Sequence, residues 1–340
     1  MKQTLVQFTW LAPRATETEK SKATKTPLLW GGWAGLLFLS LLWLLPQQAQ
    51  AQTKKSFATA QDAIDWAKNP ENSSAAAAVT NIEITGNNND ADLLLLNTLR
   101  EHETTNYFPA LDSISLPSQT GALPYGCFYS SSNNNRWLKG ISLPQVNSIG
   151  DRAFSSCKAL ISISLPQISS MEDYAFYNCT ALASVSLPAS LSSIGSNPFL
   201  SCSKLTAFNL SKENKYFTLK DGVLYNADQS KLIIYLQSNR ATSYTAPASL
   251  KEVENSAFRS CTALKSISLP EVTRVGGSAF ASCSALASIS LPQLTSMVNS
   301  AFTSCRALKS ISLPQVTSVG NFAFLDCTAL TSISFGSSQD

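Results

Sequence analysis

The sequence predicts a solenoid, in which similar coils stack and place a parallel β-sheet along one face and short turns along the other. The first observation is a repeat aligned on a Leu-Pro pair, whose leucine (phenylalanine in the last copy) occupies positions 116, 143, 165, 187, 210, 269, 291, 313 and 335. Most steps between copies are 22 or 23 residues, and such a period is typical of folds whose units pack only against their neighbours. The second observation is a short apolar–polar alternation in each copy, which has the period of a β-strand.

Each copy of the repeat divides into a strand and a turn. In residues 160–179, Ile163 and Leu165 alternate with serine, which places both apolar side chains on the inner face of a short strand. Pro166 ends that strand because proline has no N–H to donate to a neighbouring strand. The Ala-Phe-x-x-Cys motif that follows is predicted to turn inward, so that stacked copies place phenylalanine on phenylalanine and cysteine on cysteine.

This pattern resembles the leucine-rich repeats of BspA-like bacterial surface antigens, which have repeats of about this length and the same Ala-Phe-x-x-Cys signature. The resemblance covers roughly residues 105–340. It implies a leucine-rich repeat solenoid that is secreted or displayed at a bacterial surface and binds host proteins or surfaces, but it identifies no single ligand. The phenylalanines in frame are Phe154, Phe176, Phe199, Phe258, Phe280, Phe302 and Phe324.

Residues 1–51 have the pattern of a signal peptide. A basic region precedes the apolar run 28–45, and Ala49-Gln50-Ala51 fits the small-x-small pattern of a cleavage site. The apolar run of 18 residues is also just long enough to span a bilayer if it is retained. Both alternatives export the rest of the chain, so the expected location is secreted or at the cell surface. Membrane contact is expected only through this segment, if it is not cleaved.

The charge of the chain argues against one class of partner. The net charge is +3, and residues 1–51 hold five basic and two acidic residues, which account for all of it. The remaining chain is formally neutral and has no cluster of lysine or arginine, so it lacks the electrostatic footprint of a nucleic-acid-binding protein. Charged residues make up only 14% of the chain, which favours hydrogen bonding to neutral partners.

Residues 52–104 are predicted to cap the solenoid, which occupies 105–340. A cap is expected because the first coil of a solenoid otherwise exposes its core. The segment 56–70 has apolar residues at helical spacing, and Asn81-Ile82-Glu83-Ile84 is typical of a strand. The serine- and alanine-rich residues 73–78 are predicted to form a hinge between them.

The longest step between copies, from position 210 to position 269, predicts an insertion. Residues 243–258 form a degenerate copy of the repeat, and the remaining excess predicts a β-hairpin at about 212–240. The Asp221-Gly222 pair is a hairpin turn signal between runs rich in β-forming residues. The insertion is interpreted either as a widened coil whose aromatic side chains pack on the solenoid or as a protruding recognition element. The tyrosines of such an element are Tyr216, Tyr225 and Tyr235.

The cysteines are predicted to be structural. One cysteine recurs per coil at a single position, which is typical of a buried ladder of small side chains. Disulfides between neighbouring coils are the alternative, since an exported chain permits oxidation. A metal site is disfavoured because no histidine or paired Cys-x-x-Cys spacing accompanies them, and no cofactor is predicted. The ladder consists of Cys157, Cys179, Cys202, Cys261, Cys283, Cys305 and Cys327, while Cys127 lies off frame.

Catalytic chemistry is not predicted. The single histidine, His102, has no nucleophile elbow or other motif beside it from which to build a hydrolase. Acidic residues occur singly rather than as the converging pair that a glycosidase needs. The chain is therefore predicted not to be an enzyme.

The outward serines of the strands form the widest regular surface. They are interpreted either as a solvated polar face or as a shallow binding surface that docks a protein or glycan over many coils. We expect a secreted or surface-exposed binding or adhesion protein; the alternative is a structural, self-assembling envelope solenoid that associates through an uncapped C-terminal edge. The serines chosen as candidates are Ser162, Ser164, Ser288, Ser290, Ser310 and Ser312.

Overall fold

A computed structural model describes residues 54–99, 106–129 and 137–336. These residues form a parallel β-solenoid of about 12 turns with little helix, so the predicted fold class is confirmed. The predicted signal peptide, His102 and the last residues of the sequence lie outside the described part of the chain.

One face of the solenoid carries the main sheet. Its strands pair in parallel in four segments, which contain five, two, three and two strands in chain order. The strands are β1 (Lys54–Phe57), β2 (Asn81–Ile84), β3 (Ser113–Ser115), β5 (Gly140–Ser142), β7 (Ser162–Ser164), β9 (Ser184–Leu187), β11 (Ala207–Leu210), β15 (Ser243–Thr245), β17 (Ser266–Ser268), β19 (Ser288–Ser290), β21 (Ser310–Leu313) and β23 (Ser332–Phe335).

The repeat period sets the register of the main sheet. Ser266 pairs with Ser288 and Ile267 with Ile289, so neighbouring coils align at the same position of the repeat without a shift. The isoleucine of each such pair points into the core while the serines face outward, because successive side chains of a strand alternate between its two faces.

The opposite face was predicted to consist of turns, yet it carries a second sheet. Its strands pair in two segments, the second of which begins with the inserted strands β12 (Phe217–Lys220), β13 (Val223–Asn226) and β14 (Lys231–Tyr235). Outside the insertion they are β4 (Gly121–Leu123), β6 (Val146–Ile149), β8 (Ser170–Met171), β10 (Ser193–Ile194), β16 (Glu252–Val253), β18 (Arg274–Val275), β20 (Ser296–Met297) and β22 (Ser318–Val319). Strands of two residues give too little alternation to be recognised in the sequence.

The Ala-Phe-x-x-Cys segment forms the corner between the second sheet and the return to the main sheet. In residues 278–283 the alanine, phenylalanine and cysteine are fully buried. The residue before the alanine and the residue before the cysteine both have positive φ, 54° at Ser278 and 61° at Ser282. The same two positions recur from coil to coil, which explains why serine, asparagine and aspartate are frequent there: short polar side chains tolerate the left-handed region better than most.

Residues 54–99 extend the solenoid directly. Strands β1 and β2 extend the main sheet, with Ile82 opposite Ile114 of β3. The helices are α1 (Ala60–Lys68), α2 (Ser73–Ala78) and α3 (Asp90–Leu95), with 3₁₀ turns at Pro70–Asn72 and Leu96–Thr98. The hinge predicted at 73–78 is therefore wrong: its run of alanines, the strongest helix former, folds as α2. In the described part of the chain, no helix combines the length and apolarity needed to cross a bilayer.

Phenylalanine rings stack along the inside of the corner. Before the insertion the rings of Phe128, Phe154, Phe176 and Phe199 lie 5.0, 5.1 and 5.4 Å apart between centroids. After it a second stack runs from Tyr235 through Phe258, Phe280 and Phe302 to Phe324, at 5.0 to 5.6 Å. The buried apolar residues correspondingly form two core clusters that meet at the insertion.

Candidate functional site

The insertion is a three-stranded antiparallel unit built into the second sheet. Its strands are β12 (Phe217–Lys220), β13 (Val223–Asn226) and β14 (Lys231–Tyr235). The Asp221-Gly222 turn joins the first two with φ of 50° and 76°, as expected for a two-residue hairpin turn. Strand β14 then pairs in parallel with β16, so the last strand of the unit rejoins the parallel pairing of the second sheet.

The coil that follows β14 lacks the large core side chains of its neighbours. Tyr235 stacks on Phe258 and therefore occupies the phenylalanine position. Counting from it, Ser238 stands in the cysteine position and Ala241 in a leucine position. Strand β15 pairs with β17 in register, which places Ala246 opposite the second core leucine, Leu269. Two alanines in place of leucines leave space that a regular coil fills.

That space is a cleft of about 320 Å³ between the β12–β13 turn and β15, which we call the hairpin cleft. Its walls combine aromatic rings with hydrogen-bonding and charged groups, and its mouth is open to solvent along the exposed Ser243 and Thr245. The lining residues are Lys220, Asp221, Val223, Tyr225, Tyr235, Asn239, Ala241, Ser243, Tyr244, Thr245, Ala246 and Pro247.

A pair of tyrosine hydroxyls forms one wall of the hairpin cleft. The Tyr225 and Tyr244 oxygens are 2.9 Å apart and share a hydrogen bond. Burial, followed by the hydrogen bond with Tyr225, raises the pKa of Tyr244 far above its usual range. Burial also raises the pKa of Tyr235 to about 12. These phenols are therefore neutral at physiological pH and can donate or accept a hydrogen bond.

The structure separates the three tyrosines predicted for a protruding element. Tyr225 and Tyr235 are 3% and 2% exposed and belong to the second core cluster, whereas Tyr216 is 51% exposed. For Tyr225 and Tyr235, the description of a widened coil with packed aromatics is the one that matches the structure. Tyr244, which completes the cleft wall, was assigned only a strand position from the sequence. The sequence did contain an indication of the cleft, because alanine replaces leucine at positions 241 and 246 of the repeat.

The candidate serines lie where the strand alternation places them. They form two rows on the outer face of the main sheet, at the first and third positions of each strand, and all six are exposed. Ser288 and Ser290 lie two coils from the hairpin cleft, since β15 pairs with β17 and β17 with β19. The structure thus brings these two, but not Ser162 and Ser164, into the neighbourhood of the cleft on the same sheet segment.

The cysteine ladder joins successive coils through weak hydrogen bonds. Each ladder thiol donates to the backbone carbonyl of the stacked aromatic residue one coil earlier, as from Cys283 to Phe258 at 3.0 Å and from Cys305 to Phe280 at 3.1 Å. Burial raises the pKa of the Cys283 and Cys305 thiols, so both stay protonated. All eight cysteines are free, including the off-frame Cys127. Among the residues that the structure describes, no group of three or more His, Cys, Asp or Glu side chains is arranged to hold a metal.

These features define a leucine-rich repeat solenoid with a hairpin unit inserted between two stacks of coils. The family model for the BspA type leucine-rich repeat region matches residues 127–240 and 234–340, with six copies of the repeat. The chain belongs to this family, so the resemblance drawn from the sequence is confirmed. Among curated proteins, none matches the sequence.

Solved structures with the same fold come from bacterial leucine-rich repeat proteins. A leucine-rich cell surface protein from Faecalibacterium prausnitzii A2-165 has 22% identity and a TM-score of 0.57, over 84% of each chain. The pneumococcal vaccine antigen PcpA has 22% identity and a TM-score of 0.55, over 77% of this chain and 61% of that one. A leucine-rich repeat protein from Eubacterium ventriosum ATCC 27560 has 17% identity and a TM-score of 0.52, over 75% and 78%. Such identities show a shared fold alone.

Proposed function

We propose that this chain is an exported, surface-exposed binding or adhesion protein that recognises a protein or glycan of a host or neighbouring cell. The observation that carries the proposal is the hairpin cleft. Family membership supports the surface location, since relatives with this fold are described as a cell surface protein and a vaccine antigen. The proposal assigns the chain a binding role and no catalytic one.

The hairpin cleft is a departure from the repeat that the fold does not need. Regular coils fill the leucine positions, while Ala241 and Ala246 leave them open next to neutral tyrosine hydroxyls. A concave site with aromatic walls and a few converging polar groups is the usual form of a recognition site. The flat serine rows, by contrast, lack the aromatic or arginine side chains that dominate binding energy at most interfaces.

The test is binding of the purified chain to an array of extracellular-matrix proteins and glycans, with two matched variants. Ser243→Trp places a bulky side chain at the mouth of the hairpin cleft, and Ser288→Trp places the same side chain at the equivalent position two coils away. Both serines are exposed, so neither change disturbs the core.

We expect a saturable ligand that the first variant loses and the second retains. Loss in the second variant alone would move the site to the serine rows. Absence of saturable binding by the folded wild type would contradict the proposal.

The second candidate function is structural self-association through the C-terminal edge. It is favoured by the exposed apolar side chains of the last described coils: Ile333 and Phe335 of β23 are 38% and 51% exposed, and Leu325 is 50% exposed. Light scattering over a concentration series should then show a mass that rises with concentration, and Phe335→Asp should return it to that of a monomer. A constant monomer mass in the wild type would exclude this candidate.

A further inference from the structure

A second group of tyrosines, two exposed and one half-buried, lies at the corners of N-terminal coils, on a different part of the surface from the hairpin cleft. We call it the tyrosine platform and define it as Tyr125, Tyr174 and Tyr177 with Asp151 and Arg152 between them. Backbone hydrogen bonds hold the three coils in register: Gly126 donates to the Asp151 carbonyl and Arg152 to the Asp173 carbonyl, each at 3.1 Å.

Two rings of the platform are well exposed, and two are held in place by contacts with each other. Tyr125 is 60% exposed and Tyr177 is 38% exposed. Tyr174 meets Tyr177 edge to face, with centroids 6.3 Å apart, and the Arg152 guanidinium lies 5.2 Å above the Tyr174 ring. Rings that are fixed by such contacts lose little conformational freedom when a ligand stacks on them.

The solenoid itself does not require tyrosine at these positions. The equivalent coil near the C-terminus has Asn299, Ser300 and Thr303 where the platform has Tyr125, Tyr174 and Tyr177. The buried alanine, phenylalanine and cysteine of that coil are nevertheless unchanged, and its rings stack at the same spacing. The core of a coil therefore does not depend on tyrosine at these positions, which leaves the exposed rings of Tyr125 and Tyr177 available for recognition.

The charges around the platform select the kind of partner. Arg152 is the cation of the platform, and its Nη1 lies 2.8 Å from Asp151 Oδ2. Asp173, which is half-buried, accepts the Ser196 N–H at 2.7 Å through Oδ1. Glu172 beside it is exposed. Carboxylates thus outnumber the cation, so the surface disfavours anionic ligands and offers acceptors for hydroxyl groups.

We propose that the tyrosine platform binds a neutral carbohydrate. The C–H face of a pyranose stacks on an exposed tyrosine ring, and its hydroxyls donate to the carboxylates beside the ring. Tyrosines recurring along the solenoid axis give several such contacts to an extended polysaccharide, each of which adds to the affinity. The site is separate from the hairpin cleft and does not depend on what the cleft binds.

Affinity electrophoresis of the full chain in gels that contain xylan, mannan, laminarin or heparin tests the proposal. The variant is Tyr125→Ala/Tyr177→Ala, and the control is Tyr216→Ala, a tyrosine of similar exposure on the hairpin. Circular dichroism checks that each variant folds. Tyr125→Trp/Tyr177→Trp keeps the aromatic faces and removes the phenolic hydroxyls.

We expect retardation by at least one of the three neutral polysaccharides, weakened about tenfold or more in the double alanine variant, as for aromatic hot spots. The control and the tryptophan variant should bind like the wild type. Retardation by heparin alone, equal retardation of wild type and double alanine variant, or no retardation by any of the four would overturn the proposal. Each of those results leaves the hairpin-cleft variants as an independent test of the proposed function.

Discussion

The two aromatic stacks of the solenoid are built alike but end differently at the insertion. The first stack ends at Phe199, whose far neighbour is the tilted ring of Phe208 at 5.3 Å and 55°. The second begins with Tyr235, which meets Phe258 at 5.0 Å and Tyr244 nearly edge to face. Within each stack phenylalanine rings pack on phenylalanine rings of the neighbouring coils. At the insertion, the last ring of one stack packs on a tilted ring and the first ring of the other is a tyrosine.

The path of the backbone at the insertion explains this difference between the two stacks. In a regular coil the stacked ring of Phe258 follows the paired strand residue Val253 by five positions, whereas in the inserted coil Tyr235 follows Leu232 by only three. The buried amide of Asn197 spans the shortened corner and donates to the Ser256 carbonyl at 2.9 Å. Regular coils are thus stabilised by identical neighbours, and the inserted coil by contacts found only there.

The largest effect should come from removing a ring inside a stack. Phe280→Ala deletes a buried ring that has stacked neighbours at 5.3 and 5.0 Å, and should lower the free energy of unfolding by about 3–5 kcal/mol. Phe199→Ala, at the end of its stack, should cost about 1 kcal/mol less because one of its two ring neighbours, Phe208, is tilted rather than stacked. Urea denaturation measures both free energies of unfolding. Equal losses would mean that a ring at the end of a stack stabilises the fold as much as a ring inside it.

The regular coils should also be the more sensitive to alkali. Folding raises the pKa of the buried Cys283 thiol, so its contribution is fully present below the unfolded pKa of about 8.5 and is lost as pH rises above it. Under reducing conditions, Cys283→Ala should lessen the fall in unfolding free energy by about 1.4 kcal/mol per pH unit above that value. The control Ala281→Ser leaves the thiol in place. An unchanged slope in Cys283→Ala would contradict the predicted protonation.

A smaller effect is expected from the contact that belongs to the insertion alone. Tyr225→Phe removes the hydroxyl that lies 2.9 Å from that of Tyr244, and should destabilise the fold by about 1 kcal/mol. Tyr216→Phe, on an exposed ring, should leave stability unchanged. Thermal unfolding of the two variants at pH 7 makes the comparison, and matching melting temperatures would show that the hydrogen bond does not stabilise the insertion.

The smallest effect should be a gain. Phe322 has a φ of 58° and is 67% exposed, so it occupies a left-handed position without a packing role. Phe322→Gly should stabilise the fold by about 0.5–1 kcal/mol, the left-handed strain of a bulky residue less the extra entropy of glycine in the unfolded chain. Phe322→Ala keeps the Cβ and should gain less. A loss in the glycine variant would show that the exposed ring contributes to stability.

Most of the fold could be predicted because the same strand and turn pattern occurs in many copies of the repeat. The period fixed the coil length, the Ile-Ser-Leu alternation fixed which side chains face inward, and the Asp221-Gly222 pair located the hairpin turn. The second sheet could not be predicted, since two-residue strands such as Arg274–Val275 depend on pairing with neighbouring coils rather than on their own pattern.

The candidate site was harder because it lies where the repeat is broken. Tyrosine suits both a core and an interface, so nothing local distinguished the buried Tyr235 from the exposed Tyr216. The cleft depends on which residues are small, at 241 and 246, and on a chain path that only the stacked structure defines. The corner tyrosines were overlooked because they stand at positions that vary from one coil to the next.

The unshifted pairing of regular coils bears on how such a protein changes over generations. Equivalent residues of neighbouring coils pair with each other, as Ser266 does with Ser288. Each regular coil therefore contacts the coil before it and the coil after it through matching surfaces. A recombination event that duplicates or deletes one 22-residue unit therefore rejoins matching surfaces. The array can lengthen or shorten by whole coils. Recombination can thereby change the distance between the tyrosine platform and the hairpin cleft while the packing of the core stays the same.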